Sequence, residues 1–230
     1  MQNRIIGILG RKGSGKSCML RQVVAEVCRL LVFDPLCEHG EICPNRLDSI
    51  ERLVAFLRWT RGKPVWRAHF VPHGDLYDQF DLFCRWVYHR GGMTLAIEEV
   101  PMFVHPNWAP IGFSEILRLG RHRQINMVWT AQRAAEVARQ VTACTDVFVL
   151  FSQTEARDLD ALAQRCGPEI AAKVARLGLH DYLVWDVVAR RELVPSGSNW
   201  FEPVRTCSHK FMSVRSERKR GGVDLQDGGV

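Results

Sequence analysis

Apolar residues recur along the chain in short blocks, and the spacing within a block alternates between two kinds. Ile5 to Leu9 (IIGIL) is a continuous apolar run of strand length, the pattern of a strand buried on both faces of a parallel sheet. From Cys18 to Leu30 the apolar side chains Met19, Val23, Val24, Val27 and Leu30 fall at helical spacing. The strand pattern returns at Leu30 to Asp34, Val65 to Val71, Met93 to Ile97, Ile125 to Thr130, Thr145 to Phe151 and Asp181 to Val188. Helical spacing returns at Ile50 to Arg58, Leu76 to His89, Phe113 to Arg123, Ala156 to Cys166 and Pro168 to Leu177. Strands alternating with helices predict an α/β fold with a central, mostly parallel sheet flanked by helices.

The polar segments between these blocks carry the chemistry. Gly10-Arg11-Lys12-Gly13-Ser14-Gly15-Lys16-Ser17 reads GxxxxGK[ST] without a mismatch, directly after the first strand and at the start of the first helix. Glycines let the loop turn its N–H groups toward phosphate oxygens, and the helix adds the positive end of its dipole. The segment from Gly10 to Cys18 is therefore expected to bind a nucleoside triphosphate. Lys16 would reach the β- and γ-phosphates, and the Ser17 hydroxyl would ligate Mg2+. A second acidic position follows the strand MTLAI, which ends in Glu98-Glu99. Adjacent strand residues point to opposite faces, so the two carboxylates need not share a role. Glu98 is assigned to magnesium and Glu99 to polarising the attacking water. An exposed acidic turn is the plainer reading of the pair. The strand INMVWT ends in Thr130-Ala131-Gln132. If this strand lies beside the phosphate-loop strand, the Gln132 amide stands by the γ-phosphate. Alternatively, Thr130 caps a helix with Gln132 in its first turn. The base-recognition motif NKxD is absent, which argues against a GTPase.

The chain has 230 residues, 47% hydrophobic and 24% charged, which excludes collagen-like, disordered and disulfide-scaffold classes. One domain is expected over 1–204, followed by a basic, then glycine-rich tail over 205–230 that is partly disordered. No stretch approaches the ~20 apolar residues of a membrane span, and the first apolar run leads into a glycine loop rather than a signal cleavage site. The formal net charge of +6 permits a nucleic-acid partner without establishing one. The eight cysteines form no CxxC pair and read as reduced residues. Cys37, His39 and Cys43 lie close together but match no standard zinc spacing. Trp59 and Trp66 are expected in the core or an interface.

The stretch Arg118-Leu-Gly-Arg121-His-Arg-Gln-Ile125-Asn-Met-Val-Trp-Thr130-Ala-Gln132-Arg133 resembles a characteristic block of the FtsK–HerA superfamily of DNA-pumping P-loop ATPases. Asp34-Pro35 with Glu38, and Thr145 to Phe151 followed by Ser152 to Asp158, are similar to further motifs of that superfamily. The resemblance covers roughly residues 4 to 165. It implies a RecA-like fold of the additional-strand, catalytic-glutamate type, with ATP and Mg2+ as cofactors. It implies catalytic roles for Lys16, Glu98, Glu99 and Gln132, and places Arg121 as the arginine that enters a neighbouring subunit's site, with Arg118 and Arg123 as rivals. It also implies a ring-shaped homo-oligomer, with a hexamer favoured. The chain departs from the family where Glu98 stands for the usual aspartate and Gln124 for the usual glycine. The lack of appended domains is most similar to genome-packaging ATPases of icosahedral viruses with an internal membrane. That implies pumping double-stranded DNA, without sequence specificity, into a preformed capsid. A capsid or viral membrane protein would be a further partner, and the location would be the host cytoplasm or the virion. A filamentous-phage assembly ATPase, a small-molecule phosphotransferase and a non-hydrolysing regulatory P-loop protein remain alternative readings.

Overall fold

The computed structural model describes residues 4–193, so the expected tail over 205–230 lies outside the described residues. The strands are β1 (Ile5–Leu9), β2 (Arg29–Phe33), β3 (Asn45–Leu47), β4 (Trp66–Phe70), β5 (Met93–Ile97), β6 (Ile125–Ala131), β7 (Val147–Phe151), β8 (Tyr182–Asp186) and β9 (Arg191–Leu193). The helices are α1 (Lys16–Val23), α2 (Ile50–Trp59), α3 (Leu76–Arg90), α4 (Ile111–Leu119), α5 (Arg139–Ala143), α6 (Ala156–Cys166) and α7 (Pro168–Val174). Each strand block in the sequence becomes a strand. The first helix is shorter than its apolar spacing suggests, since it stops at Val23 and Leu30 belongs to β2. The fourth ends at Leu119, and Gly120–Arg123 continues it only as a tighter 3-10 turn.

One sheet holds all nine strands in the order β3-β4-β2-β5-β6-β1-β7-β8-β9. β1 to β7 run parallel, and β8 and β9 close one edge antiparallel. Because all these parallel strands point the same way, the segments that follow them gather along one edge of the sheet. Ligands of open parallel sheets bind at that edge.

Alternation along each strand splits the apolar side chains between two faces. Ile6 and Ile8 of β1 join Met19, Leu20 and Val23 of α1 on one face. Ile5 and Leu9 of the same strand face the other way, toward a larger core. That core includes Leu53 and Leu57 of α2, Phe80 and Phe83 of α3, Phe113 and Ile116 of α4, and Ile170 and Val174 of α7. The Phe33 ring touches Phe80, Phe83 and Phe103 edge-on, with centroids 4.9, 5.0 and 4.9 Å away. Helix starts are capped locally. Ser49 accepts the Arg52 N–H at the start of α2, and Asp75 accepts the Tyr77 and Asp78 N–H groups at the start of α3.

Gly7 is required by a close approach in the sheet. It pairs with Trp129 of β6, and a Cβ at position 7 would lie 2.7 Å from Trp129 Cε2. Trp129 is fully buried, and its indole N–H donates to the Thr145 hydroxyl at 3.1 Å. Trp66 is also in the core, whereas Trp59 is 61% exposed with Lys63 Nζ 2.9 Å over its ring, so Trp59 is not a core residue. Among the described residues no helix is long and apolar enough to cross a membrane.

Candidate active site

The ends of four parallel strands build the site. β1 leads into the phosphate loop, β5 into Glu98-Glu99, β6 into Gln132, and β2 into Asp34. β6 pairs with β1 on one side and β5 on the other. The spatial condition placed on Gln132 is thus met, and one strand separates the phosphate-loop strand from the acidic strand.

The loop between β1 and α1 turns on two left-handed residues, Gly13 (φ 78°) and Gly15 (φ 105°). A side chain at either position would be strained. Gly15 caps α1, so the N–H groups at the helix start point out of the loop as an anion cradle. Arg11, Lys12 and Cys18 are exposed around the cradle, and Ser14 is buried inside it with no protein partner for its hydroxyl among the described residues.

Lys16 is buried and spans two acceptors. Its Nζ lies 3.3 Å from the Arg11 carbonyl and 3.7 Å from Glu99 Oε1. Burial pushes the Lys16 ammonium below its usual range, against the pull of Glu99 and Glu98. Burial also pushes the Glu99 carboxyl up, against Lys16 and hydrogen bonds from Gln132. Glu99 itself takes a left-handed conformation (φ 51°, ψ 57°), rare for a residue with a side chain. Its N–H donates to the Thr130 hydroxyl at 3.0 Å. That contact corrects the helix-cap reading of Thr130: no helix starts there, and the hydroxyl ties the end of β5 to β6. Gln132 is exposed, yet its amide donates to the Glu99 carboxylate. Its carbonyl accepts from Gln153 Nε2 at 3.0 Å. Buried Asp158 holds the segment beyond, accepting the Ala135 N–H at 2.9 Å and Arg133 Nε at 3.2 Å.

Glu98 is 6% exposed, not part of an exposed acidic turn. Burial raises its carboxyl, but the His39 ring beside it, then the Ser17 hydroxyl, outweigh burial and hold it below the ordinary glutamate value. The Ser17 hydroxyl and the Glu98 carboxylate therefore meet. Two hard oxygen donors side by side suit Mg2+, which takes one or two carboxylates and completes its shell with phosphates and water.

Sequence reasoning overlooked the support beneath Glu98. His39 Nε2 stands 3.0 Å from Glu98 Oε2, and Asp34 anchors the turn that carries His39. One signal was present: LLVFD and MTLAIE both end in an acid, and Phe33 pairs with Ile97, which brings Asp34 and Glu98 to adjacent strand ends. Cys37 is exposed, Cys43 is buried with its thiol pushed up to about 12 by burial, and His39 faces Glu98. Among the described residues no cluster of three metal-ligating side chains forms. The cysteines among them are free.

The three arginines of the 118–123 stretch lie at the other edge of the sheet, before β6 starts. Arg123 is committed within the chain, where its guanidinium donates to the Tyr88 and His89 carbonyls. Arg118 and Arg121 are exposed, and among the described residues the Arg121 guanidinium donates to the neighbouring His122 ring, at 3.3 Å. A cavity of about 710 Å3 lies between the segment after β6 and α6, with Arg139, Arg157 and Arg165 in its wall.

The sheet order and the glycine loop make a P-loop fold. No family model and no curated sequence matches the chain. Solved structures do. The genome packaging NTPase B204 from Sulfolobus turreted icosahedral virus 2, in complex with AMP, superposes with a TM-score of 0.68 at 19% identity, over 84% of this chain and 96% of that one. B204, the DNA-packaging ATPase from Sulfolobus turreted icosahedral virus, gives 0.61 at 20% identity, over 84% and 97%. VirB4 of Thermoanaerobacter pseudethanolicus gives 0.57 at 11% identity, over 87% and 91%. At these identities the likeness is one of fold, and it is the fold that the FtsK–HerA resemblance implies.

Proposed function

We propose that this chain is an ATP-hydrolysing DNA translocase, a genome-packaging motor that drives double-stranded DNA into a preformed capsid. The observation that carries the hydrolytic part is the convergence of Lys16, Ser17, Glu98, Glu99 and Gln132 at one sheet edge, with β6 between β1 and β5. The packaging part is supported by the fold shared with B204 over most of both chains.

In this reading the N–H groups of residues 13–17 and the Lys16 ammonium hold the β- and γ-phosphates. Ser17 and Glu98 would hold Mg2+, which supplies charge neutralisation at the phosphate oxygens. Glu99 takes a proton from the attacking water, the bond between the γ-phosphorus and the ADP oxygen breaks, and phosphate leaves. Burial suits Glu99 to this role by making it a stronger base than an exposed glutamate. Gln132, bonded to Glu99, reports whether the γ-phosphate is in place. Arg121 is free to enter the site of a neighbouring copy in a ring, whereas Arg123 is not. DNA is gripped through its phosphates without base readout.

The test is ATP turnover with and without long double-stranded DNA, on material resolved by size. Turnover stimulated by DNA in the oligomeric fraction is expected. Lys16→Ala should lose nucleotide binding. Glu99→Gln should keep binding and lose about 10²–10⁴-fold in turnover. Phosphorylation of an added nucleoside or sugar, with no response to DNA, would instead identify a phosphotransferase. Binding without turnover would identify a regulatory protein.

A further inference from the structure

Beneath the phosphate loop lies a buried polar cluster that the P-loop motifs do not explain: Asp34, His39, His69 and Glu98, all at least nine-tenths buried. Buried ionisable groups are costly unless each is held by partners. Here the partners form a chain. The Asp34 carboxylate accepts the Glu38 N–H on Oδ1 and the His39 N–H on Oδ2, each at 2.9 Å, and His69 Nδ1 lies 2.8 Å from Oδ2. These contacts fasten the turn after β2 and fix where the His39 ring stands. Its Nε2 then meets Glu98 Oε2 at 3.0 Å, in a short but bent contact.

We propose that His39 is the positioning residue for the Glu98 carboxylate, and that it thereby sets the affinity of the nucleotide-bound site for a divalent cation. This rests on the reading of Ser17 and Glu98 as magnesium ligands. A glutamate side chain has three rotatable bonds and could sweep across the end of β5. Contact with His39 on one oxygen confines it. Mg2+ demands near-ideal octahedral geometry, so a ligand held in one orientation binds it better than a mobile one. Removing such an outer partner of a metal ligand typically costs 10–100-fold in metal affinity or activity. His39 lies behind Glu98 and acts only through it.

Mn2+ is the probe. The full chain, with a non-hydrolysable ATP analogue bound, is titrated with Mn2+ and read by electron paramagnetic resonance. Nucleotide affinity in excess chelator is measured separately. Wild type is compared with His39→Asn, whose amide stops short of Glu98, and His39→Gln, whose longer amide restores a donor near the Nε2 position. The expected result is a loss of about 10–100-fold in Mn2+ affinity for His39→Asn, unchanged metal-free nucleotide binding, and partial recovery in His39→Gln. The proposal is overturned if Mn2+ affinity is the same in all three proteins. It is equally overturned if metal-free binding falls in step with Mn2+ affinity, because His39 would then support the fold alone. A wild-type chain that binds no nucleotide would sink the phosphate-loop reading instead, which separates the two failures.

Discussion

Asp34 is fully buried at the end of β2 and still holds its charge. Burial raises its carboxyl, but the His69 hydrogen bond and the two backbone N–H groups outweigh it, so its pKa lies below the usual aspartate value. A depressed carboxylate pKa contributes stability that is present above the unfolded value, about 3.9, and lost as the pH falls through the folded one. Asp34→Asn should therefore destabilise the protein by about 1–3 kcal/mol at neutral pH. The gap between variant and wild type in thermal melts should narrow as the pH drops below about 3.9. A gap that stays constant between neutral and acid pH would show that charge plays no part. Glu99 illustrates a different residue-scale arrangement. Its left-handed backbone is held by the Thr130 hydroxyl, and its carboxylate by Lys16 and Gln132, so strain and burial gather on the group proposed as the base.

Among the elements, β6 has the most contacts to satisfy. It separates β1 from β5, carries Thr130 and leads to Gln132, and its Trp129 fills the space over Gly7. Gly7→Ala should cost about 1–3 kcal/mol by overpacking against Trp129. Combined with Trp129→Phe, the loss should be smaller than the sum of the single losses, by about 0.5–3 kcal/mol. Strict additivity in denaturant melts would show that the two positions do not share that space. Much of this layer was legible in the sequence. β1 and β7 are unbroken apolar runs of five residues, β2, β5 and β6 are mostly apolar, β4 alternates apolar with polar residues, and the loop after β1 has its spacing fixed by covalent neighbours. Other elements were illegible for physical reasons. β3 has three residues, two of them exposed, and its register comes from pairing with β4. α5 has five residues, too few for a helical period to show. The His39–Glu98 contact joins positions 59 residues apart through the pairing of β2 with β5, and no local motif encodes it.

At the scale of the whole molecule, the sheet separates two kinds of chemistry. The phosphate cradle and carboxylates lie at the edge where the parallel strands end, and Arg118 and Arg121 lie at the edge where they begin. Seven residues of β6 set the edges apart by roughly 20 Å at ~3.3 Å per residue. Arg121→Ala should retain nucleotide binding and lose about 10³-fold or more in turnover of the assembled oligomer, the scale of a lost arginine finger. Arg123→Ala should lower the melting temperature through its lost carbonyl contacts and leave turnover per folded chain near wild type. Normal hydrolysis by oligomeric Arg121→Ala would remove the trans role from this residue. The separation of the edges also bears on symmetry. A contact that brings one copy's arginine edge to the next copy's phosphate edge joins unlike surfaces, and a two-fold dimer satisfies it for both partners only by laying the two sheets antiparallel. Repeating it head to tail either closes into a cyclic ring or runs on as a helical filament, and the angle between neighbours decides which.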